Sequence, residues 1–86
     1  MYQIYGTMLC KDCVACLEAM DREKIDYSFL DITADLAHLK AFLAIRDGNA
    51  LFDEVRRRES IGIPCVVEEN GTVSLCWEDY VSQANA

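Results

Sequence analysis

Two cysteines near the start of the chain, Cys10 and Cys13, are separated by two residues, and Cys16 follows at the same spacing. A Cys-x-x-Cys pair can exchange electrons with a disulfide, and its thiolates can also bind a metal. In disulfide exchange, the first thiolate attacks the substrate and the second thiol resolves the mixed disulfide. For that chemistry we expect Cys10 to be the nucleophile and Cys13 the resolving thiol.

The elements around Cys10 favour thiol exchange. A β-prone stretch over residues 3–5 precedes it, and helical spacing of apolar residues predicts a helix over residues 11–23. Cys10 would then lie at the helix start, where unpaired N–H groups and the helix dipole favour an anion. A thiolate should form there more readily; Lys11 should help it form, whereas Asp12 opposes it.

Two further helices are predicted in the middle of the chain. Thr33 is expected to cap the first of them, which Asp47-Gly48-Asn49 ends. A short helix over residues 50–58 follows. The apolar side of the longer helix is expected to carry Leu36, Leu39, Phe42 and Leu43, and the short helix to bury Leu51, Phe52 and Val55.

The remaining pattern is of strands and one last helix. Runs of β-prone residues predict strands over 27–32, 61–67 and 72–75, with an Asn70-Gly71 hairpin turn before the last strand and a helix over 77–83. A strand–helix–strand opening requires a parallel pair, and the hairpin adds an antiparallel pair. The order β-α-β-α-(α)-β-β-α predicts one α/β domain over 1–86, a mixed four-stranded sheet flanked by helices. With Cys-x-x-Cys at the first strand-to-helix junction, it indicates a thioredoxin-like fold.

The only proline, Pro64, lies inside a β-prone run. A proline cannot donate a hydrogen bond to a sheet, so its position fits a strand that ends beside an open site. A cis peptide at Ile63-Pro64 would leave the backbone there free for a substrate chain. A trans proline that opens a strand is the alternative.

The stretch from Ile4 to Cys13, Ile-Tyr-Gly-Thr-Met-Leu-Cys-Lys-Asp-Cys, resembles the opening of glutaredoxins, and Gly-Ile-Pro-Cys-Val-Val at residues 62–67 resembles their cis-proline segment. The resemblance implies a thiol–disulfide oxidoreductase that uses glutathione to reduce disulfides or glutathionyl mixed disulfides. It implies that Cys10 is the nucleophile, that Cys13 resolves, and that Pro64 with the Ile63 backbone clamps the substrate.

The chain departs from the glutaredoxin pattern at three places. Lys11 replaces the motif proline, and Thr7 stands where many members carry a lysine. The Gly-Gly-x-Asp segment that holds the γ-glutamyl end of glutathione is replaced by Leu-Cys-Trp-Glu-Asp at residues 75–79. Lys11 and Asp79, or Glu78 in place of Asp79, are the candidate contacts to glutathione that remain. In addition, the segment 47–58 is longer than the usual second helix of glutaredoxins and should reshape the edge of the site.

The charge and hydropathy of the chain argue against two classes of partner, nucleic acid and membranes. A formal net charge of −7 disfavours binding to nucleic acid, and no apolar run approaches the roughly 20 residues that a membrane helix needs. Residues 1–9 are too short and polar for a signal peptide, so we expect a cytoplasmic protein without a membrane partner. We expect a monomer that needs no resident cofactor or metal and takes glutathione as co-substrate and glutathione or protein disulfides as partners.

Three alternatives to a glutathione-coupled enzyme stay open. The dithiol could be recycled by a thioredoxin reductase, or the fold could serve as a redox-inactive binding module. Cys10, Cys13 and Cys16, with Cys65 or Cys76, could also supply thiolates to zinc or an iron–sulfur cluster. Other roles are expected for the three cysteines that would complete such a metal site. We expect Cys16 to be an inert core thiol, Cys65 a packed strand residue and Cys76 a structural residue.

Overall fold

The computed structural model describes residues 1–85, in an element order that confirms the predicted one. The elements are β1 (Tyr2–Gly6), α1 (Lys11–Arg22), β2 (Tyr27–Asp31), α2 (Leu36–Asp47), a 3₁₀ turn (Ala50–Phe52), α3 (Asp53–Arg57), β3 (Cys65–Val67), β4 (Val73–Ser74) and α4 (Trp77–Ala84). None of the helices within residues 1–85 has the length and apolar character that crossing a membrane requires.

The four strands form one mixed sheet, as the sequence predicted, and the structure gives their order as β2-β1-β3-β4. Strand β1 lies parallel to β2, with Ile4 opposite Phe29, and antiparallel to β3, with Ile4 opposite Val66. Strands β3 and β4 form the antiparallel hairpin. Strand β1 therefore has neighbours on both sides, and the loop that follows it begins near the middle of the sheet.

Strand β3 is shorter than predicted, because it begins at Cys65 rather than at residue 61. Pro64 has no N–H to give to the sheet, and Gly62 has a φ of +94°, which is not a strand conformation. Strand β4 is limited to Val73–Ser74, since the Ser74 hydroxyl accepts a hydrogen bond from the Cys76 N–H as the chain turns into α4. Residues 61–64 therefore run past the sheet without belonging to a strand.

The predicted cap and apolar side of α2 are partly wrong. Asp35, not Thr33, caps the helix, because its carboxylate accepts a hydrogen bond from the Ala37 N–H at 2.8 Å. The Thr33 hydroxyl instead donates to Asp31 at 2.6 Å. The core-facing side of α2 carries Leu39, Phe42 and Ile45; Leu36 and Leu43 lie on the flanks of that face and are exposed, and so is Leu51 in the 3₁₀ turn.

Two hydrophobic cores lie on opposite faces of the sheet, because successive side chains of β1 point to opposite sides. Ile4 belongs to the core that also contains Cys16, Leu17, Met20, Val66 and Tyr80. Tyr5 belongs to the core that also contains Ile32, Phe42, Phe52, Val55 and Cys65. Cys16 and Cys65 are fully buried, which confirms the prediction that they are packed thiols, whereas Cys76 is exposed and the structural role predicted for it is wrong.

The buried thiols of Cys16 and Cys65 should make the fold less stable at alkaline pH. Burial raises the pKa of each from 9.0 to about 12, with Asp12 and Glu78 adding to the effect at Cys16. The unfolded chain therefore loses these protons at a lower pH than the folded chain does. The stability that the buried thiols contribute is fully present below pH 9 and declines as the pH rises toward 12. In that window the free energy of unfolding should fall by about 1.4 kcal/mol per pH unit for each thiol.

Urea unfolding of the reduced protein at a series of pH values measures this slope. Cys65→Val should remove one thiol's share of it, while Val66→Ala, a neighbouring core change without a thiol, should lower stability equally at every pH. A slope that Cys65→Val leaves unchanged would contradict the assignment.

Candidate functional site

Cys10 caps the first helix of the chain with its own sulfur. Its backbone is extended (φ −101°, ψ 120°), and its Sγ accepts a hydrogen bond from the Cys13 N–H at 3.3 Å. The Cys10 N–H donates to the Thr7 carbonyl at 3.1 Å, which closes the turn between β1 and α1. The sulfur is partly exposed and lies at the positive end of the α1 dipole, so a negative charge on it is stabilised by a backbone donor and by the helix.

Cys13 lies beneath Cys10 and is fully buried. Burial is the largest cause that raises the pKa of its thiol, to about 12; the hydrogen bond and the charge of Cys10 raise it further, with a smaller contribution from Cys16. A hydrogen bond with the Thr7 backbone acts in the opposite direction. At neutral pH Cys13 is therefore a protonated, buried thiol next to the partly exposed thiol of Cys10.

Gly6 makes room for the Cys13 sulfur. A Cβ built at Gly6 would lie 2.7 Å from the Cys13 Sγ and 3.4 Å from the Phe29 ring. Any side chain at this position would push Cys13 out of its place under the helix start. The sequence showed Gly6 only as the end of a β-prone stretch, and no local signal indicated the contact with a residue seven positions away.

A groove of about 520 Å³ opens beside Cys10. The peptide between Ile63 and Pro64 is cis, as predicted. Ile63 lines the groove, whereas Pro64 is buried and lines a smaller neighbouring cavity of about 260 Å³. The lining of the groove is Thr7, Leu9, Cys10, Thr33, Glu59, Ser60, Ile61, Gly62 and Ile63.

Two arginines, neither of which the sequence assigned to the site, hold the groove wall at residues 60–61. The Arg46 guanidinium donates to the Ile61 carbonyl at 2.9 Å and to the Ser60 carbonyl at 2.8 Å. Arg56 in turn donates to the Arg46 carbonyl at 2.6 Å. Arg56 lies in the segment expected to reshape the edge of the site, but Arg46, which contacts the wall itself, lies in α2 outside that segment. These contacts join residues that are distant in the sequence, so only the three-dimensional arrangement reveals them.

The predicted glutathione contacts Lys11 and Asp79 do not line the groove. Lys11 is exposed on the first turn of α1, and Asp79 is exposed on the first turn of α4. The two helix starts are joined by the Trp77 indole N–H, which donates to the Asp12 carboxylate at 3.2 Å. The structure therefore brings Cys10, Cys13 and Ile63 together and places Lys11 and Asp79 outside that group.

The exposed Cys76 lies at the start of α4. Partial desolvation and then the charge of Asp79 raise the pKa of its thiol. Within residues 1–85, no three side chains of the His, Cys, Asp and Glu types are grouped as metal ligands. Cys76 is therefore a second accessible thiol that experiments on Cys10 have to control for.

Gly62→Ala should destabilise the protein more than Gly71→Ala. Both glycines have a positive φ, +94° and +92°, where an L side chain is disfavoured, so that penalty is shared. A Cβ at Gly62 would lie 2.9 Å from the Phe52 ring, whereas a Cβ at Gly71 would meet nothing within 4 Å. We expect an additional loss of about 1–3 kcal/mol at Gly62 from overpacking, measured by urea unfolding. Equal losses of stability in the two variants would show that the Phe52 ring does not restrict the space beside Gly62.

Comparison with known proteins finds one similar sequence. A curated Haemophilus influenzae protein, described only as an uncharacterized protein, is 35% identical to this chain over 66 residues, which are 77% of each chain. No family model and no solved structure matches the chain. The identity and the coverage place the two proteins together: the chain belongs to the same family as this uncharacterized protein of Haemophilus influenzae.

Proposed function

We propose that this protein is a thiol–disulfide oxidoreductase of the glutaredoxin kind, with a thioredoxin-like fold, acting in the cytoplasm as a monomer. The observation that carries the proposal is the Cys10 sulfur at the N-terminus of α1, hydrogen-bonded to the Cys13 N–H at 3.3 Å and open to a groove, with the Cys13 thiol buried beneath it. Such a pair has the two unequal sulfurs that disulfide exchange requires.

In the first step, the Cys10 thiolate attacks one sulfur of a substrate disulfide. A bond forms between the Cys10 Sγ and that sulfur, the substrate S–S bond breaks, and the other substrate sulfur leaves as a thiolate with the electron pair. The groove beside Cys10 gives the substrate access, and the Ile63 backbone lies at its wall, where it would hold the substrate chain with Pro64 behind it.

In the second step, Cys13 resolves the mixed disulfide. Once Cys10 is bonded to the substrate, it no longer carries a charge or accepts the thiol proton, so two of the causes that raise the pKa of Cys13 disappear. Cys13 then loses its proton and attacks the Cys10 sulfur; the bond between Cys10 and the substrate sulfur breaks, and that sulfur leaves with the electron pair as a second thiolate, which takes up the proton. The products are the two thiols of the reduced substrate and a Cys10–Cys13 disulfide, and two electrons have been transferred.

Glutathione is the proposed co-substrate that recycles the enzyme. Two glutathione thiols reduce the Cys10–Cys13 disulfide and become glutathione disulfide, so atoms and electrons balance without a resident cofactor. A thioredoxin reductase as the electron donor is the close alternative. Zinc or an iron–sulfur cluster held by cysteine thiolates is the alternative from another class.

Replacing the two cysteines separately should divide the reaction into its steps. Cys10→Ser should lower the reduction of a glutathionylated test peptide by about a hundredfold or more, because the attacking sulfur is gone. Cys13→Ser should retain the attack but accumulate protein with the substrate thiol bonded to Cys10. Consumption of NADPH, coupled through glutathione and glutathione reductase, measures the rate, and mass spectrometry of the intact protein measures the trapped species.

Cys76→Ser is the matched control, since it removes the exposed thiol outside the groove. Its rate should stay within about twofold of the wild type. If Cys10→Ser keeps its activity, or if Cys76→Ser loses it, the proposed function is wrong. Recycling by thioredoxin reductase but not by glutathione would retain the dithiol chemistry and replace the electron donor.

A further inference from the structure

We propose that the groove beside Cys10 selects protein disulfides flanked by apolar and basic residues, in preference to glutathionyl groups. This inference rests on the proposed function and names the substrate class of the same site. Three observations carry it: the exposed apolar side chains at the groove, the sign of its charge, and the state of its polar groups.

Two apolar side chains that line the groove are exposed to solvent. Leu9 is 86% exposed and Ile61 is 53% exposed. Met8, next to Leu9, is also exposed. Exposed apolar side chains that gather around a concave site mark a surface that gains by burial against a partner, and glutathione has little apolar surface to offer.

The charge of the groove is negative. Glu59 is the only Asp, Glu, Lys, Arg or His side chain among its described lining residues, and the whole chain carries a formal charge of −7. Arg46 faces the backbone of the groove wall and is occupied by two carbonyls, and Arg58 lines the neighbouring cavity. A glutathionyl group brings two carboxylates and one ammonium, so it meets repulsion here, whereas lysine or arginine beside a substrate cysteine meets attraction.

The threonine hydroxyls of the groove are already engaged. The hydroxyls of Thr7 and Thr33 lie 3.0 Å apart and bond to each other, and the Thr33 hydroxyl also donates to Asp31. The Leu9 N–H donates to the Thr7 hydroxyl at 3.2 Å. The Thr7 and Thr33 hydroxyls therefore have no free proton to donate to the carboxylates of glutathione. In contrast, residues 61–64 belong to no strand, and an extended peptide can lie along them.

The experiment compares mixed disulfides that share one coloured leaving thiol, 2-nitro-5-thiobenzoate. Its partners are a cysteine peptide with leucine and lysine on both sides, a peptide of the same length with glutamate and serine, and glutathione. Cys10 attacks the peptide or glutathione sulfur, and the coloured thiolate leaves with the electron pair. The second-order rate constant of colour release is measured at neutral pH for each substrate, after subtraction of the Cys10→Ser background.

The leucine–lysine peptide should react at least about tenfold faster than the glutathione disulfide, with the glutamate peptide slowest. The double variant Leu9→Ser and Ile61→Ser should lose most of that advantage while its rate with glutathione changes by less than about twofold. Glu59→Lys should reverse the preference for charge. Leu36→Ser, which alters another exposed leucine (64% exposed) outside the groove, should leave all three rates unchanged.

Equal rates for the leucine–lysine peptide and glutathione would overturn the inference and leave the proposed function intact. The inference is also overturned if the double variant slows all three substrates by the same factor, because a general loss of reactivity is not selection. If no substrate reacts faster with the wild type than with Cys10→Ser, the proposed function itself fails, and the substrate class falls with it.

Discussion

The contact between Gly6 and the Cys13 sulfur is the constraint from which the arrangement of the site follows. Gly6 ends strand β1, where it pairs with Asp31 of β2 and its carbonyl accepts a hydrogen bond from the Ile32 N–H at 2.9 Å. Helix α1 begins close enough to Gly6 that a Cβ there would overlap the Cys13 sulfur at 2.7 Å. Cys13 is thereby locked in the interior, and the sulfur one turn earlier is left to cap the helix at its exposed end. The two cysteines differ in exposure because they lie about one helical turn apart, with Cys10 at the exposed start of α1 and Cys13 in the interior.

That difference decides what chemistry each sulfur is suited to. Removal from water keeps Cys13 protonated, with its pKa raised to about 12, while Cys10 stays open to the groove. The charge and the hydrogen bond of Cys10 are themselves among the causes that raise the pKa of Cys13. A bond between Cys10 and a substrate would remove these two causes and leave burial, the largest one, and the proposed two-step exchange uses that change.

Much of the fold and the position of Cys10 and Cys13 at the start of a helix could be predicted from the sequence, because both depend on local sequence patterns. The β-prone stretch of β1, the helical spacing after Cys10 and the Asn70-Gly71 turn each involve residues close together in the chain. Three features could not be predicted, since they join distant segments: the fit of Cys13 against Gly6, the Arg46 contacts with the wall at 60–61, and the Trp77 link to Asp12. The predicted starts of β3 and α2 and the predicted apolar side of α2 are wrong, because β propensity and apolar spacing do not record which backbone donors are available or which flank of a helix meets the core.

The central claim is that Cys10 and Cys13 act as one redox pair, and equilibrium titration of the reduced protein against glutathione and glutathione disulfide tests it most directly. Thiols are trapped by alkylation at each potential, and the masses of peptides containing residues 10 and 13 are followed. The account predicts that the two cysteines oxidise together, in one two-electron transition with a slope of about 30 mV per tenfold change in the redox ratio, to an intramolecular disulfide. If Cys10 and Cys13 are oxidised independently, or only glutathione adducts form and no internal disulfide, the account is contradicted.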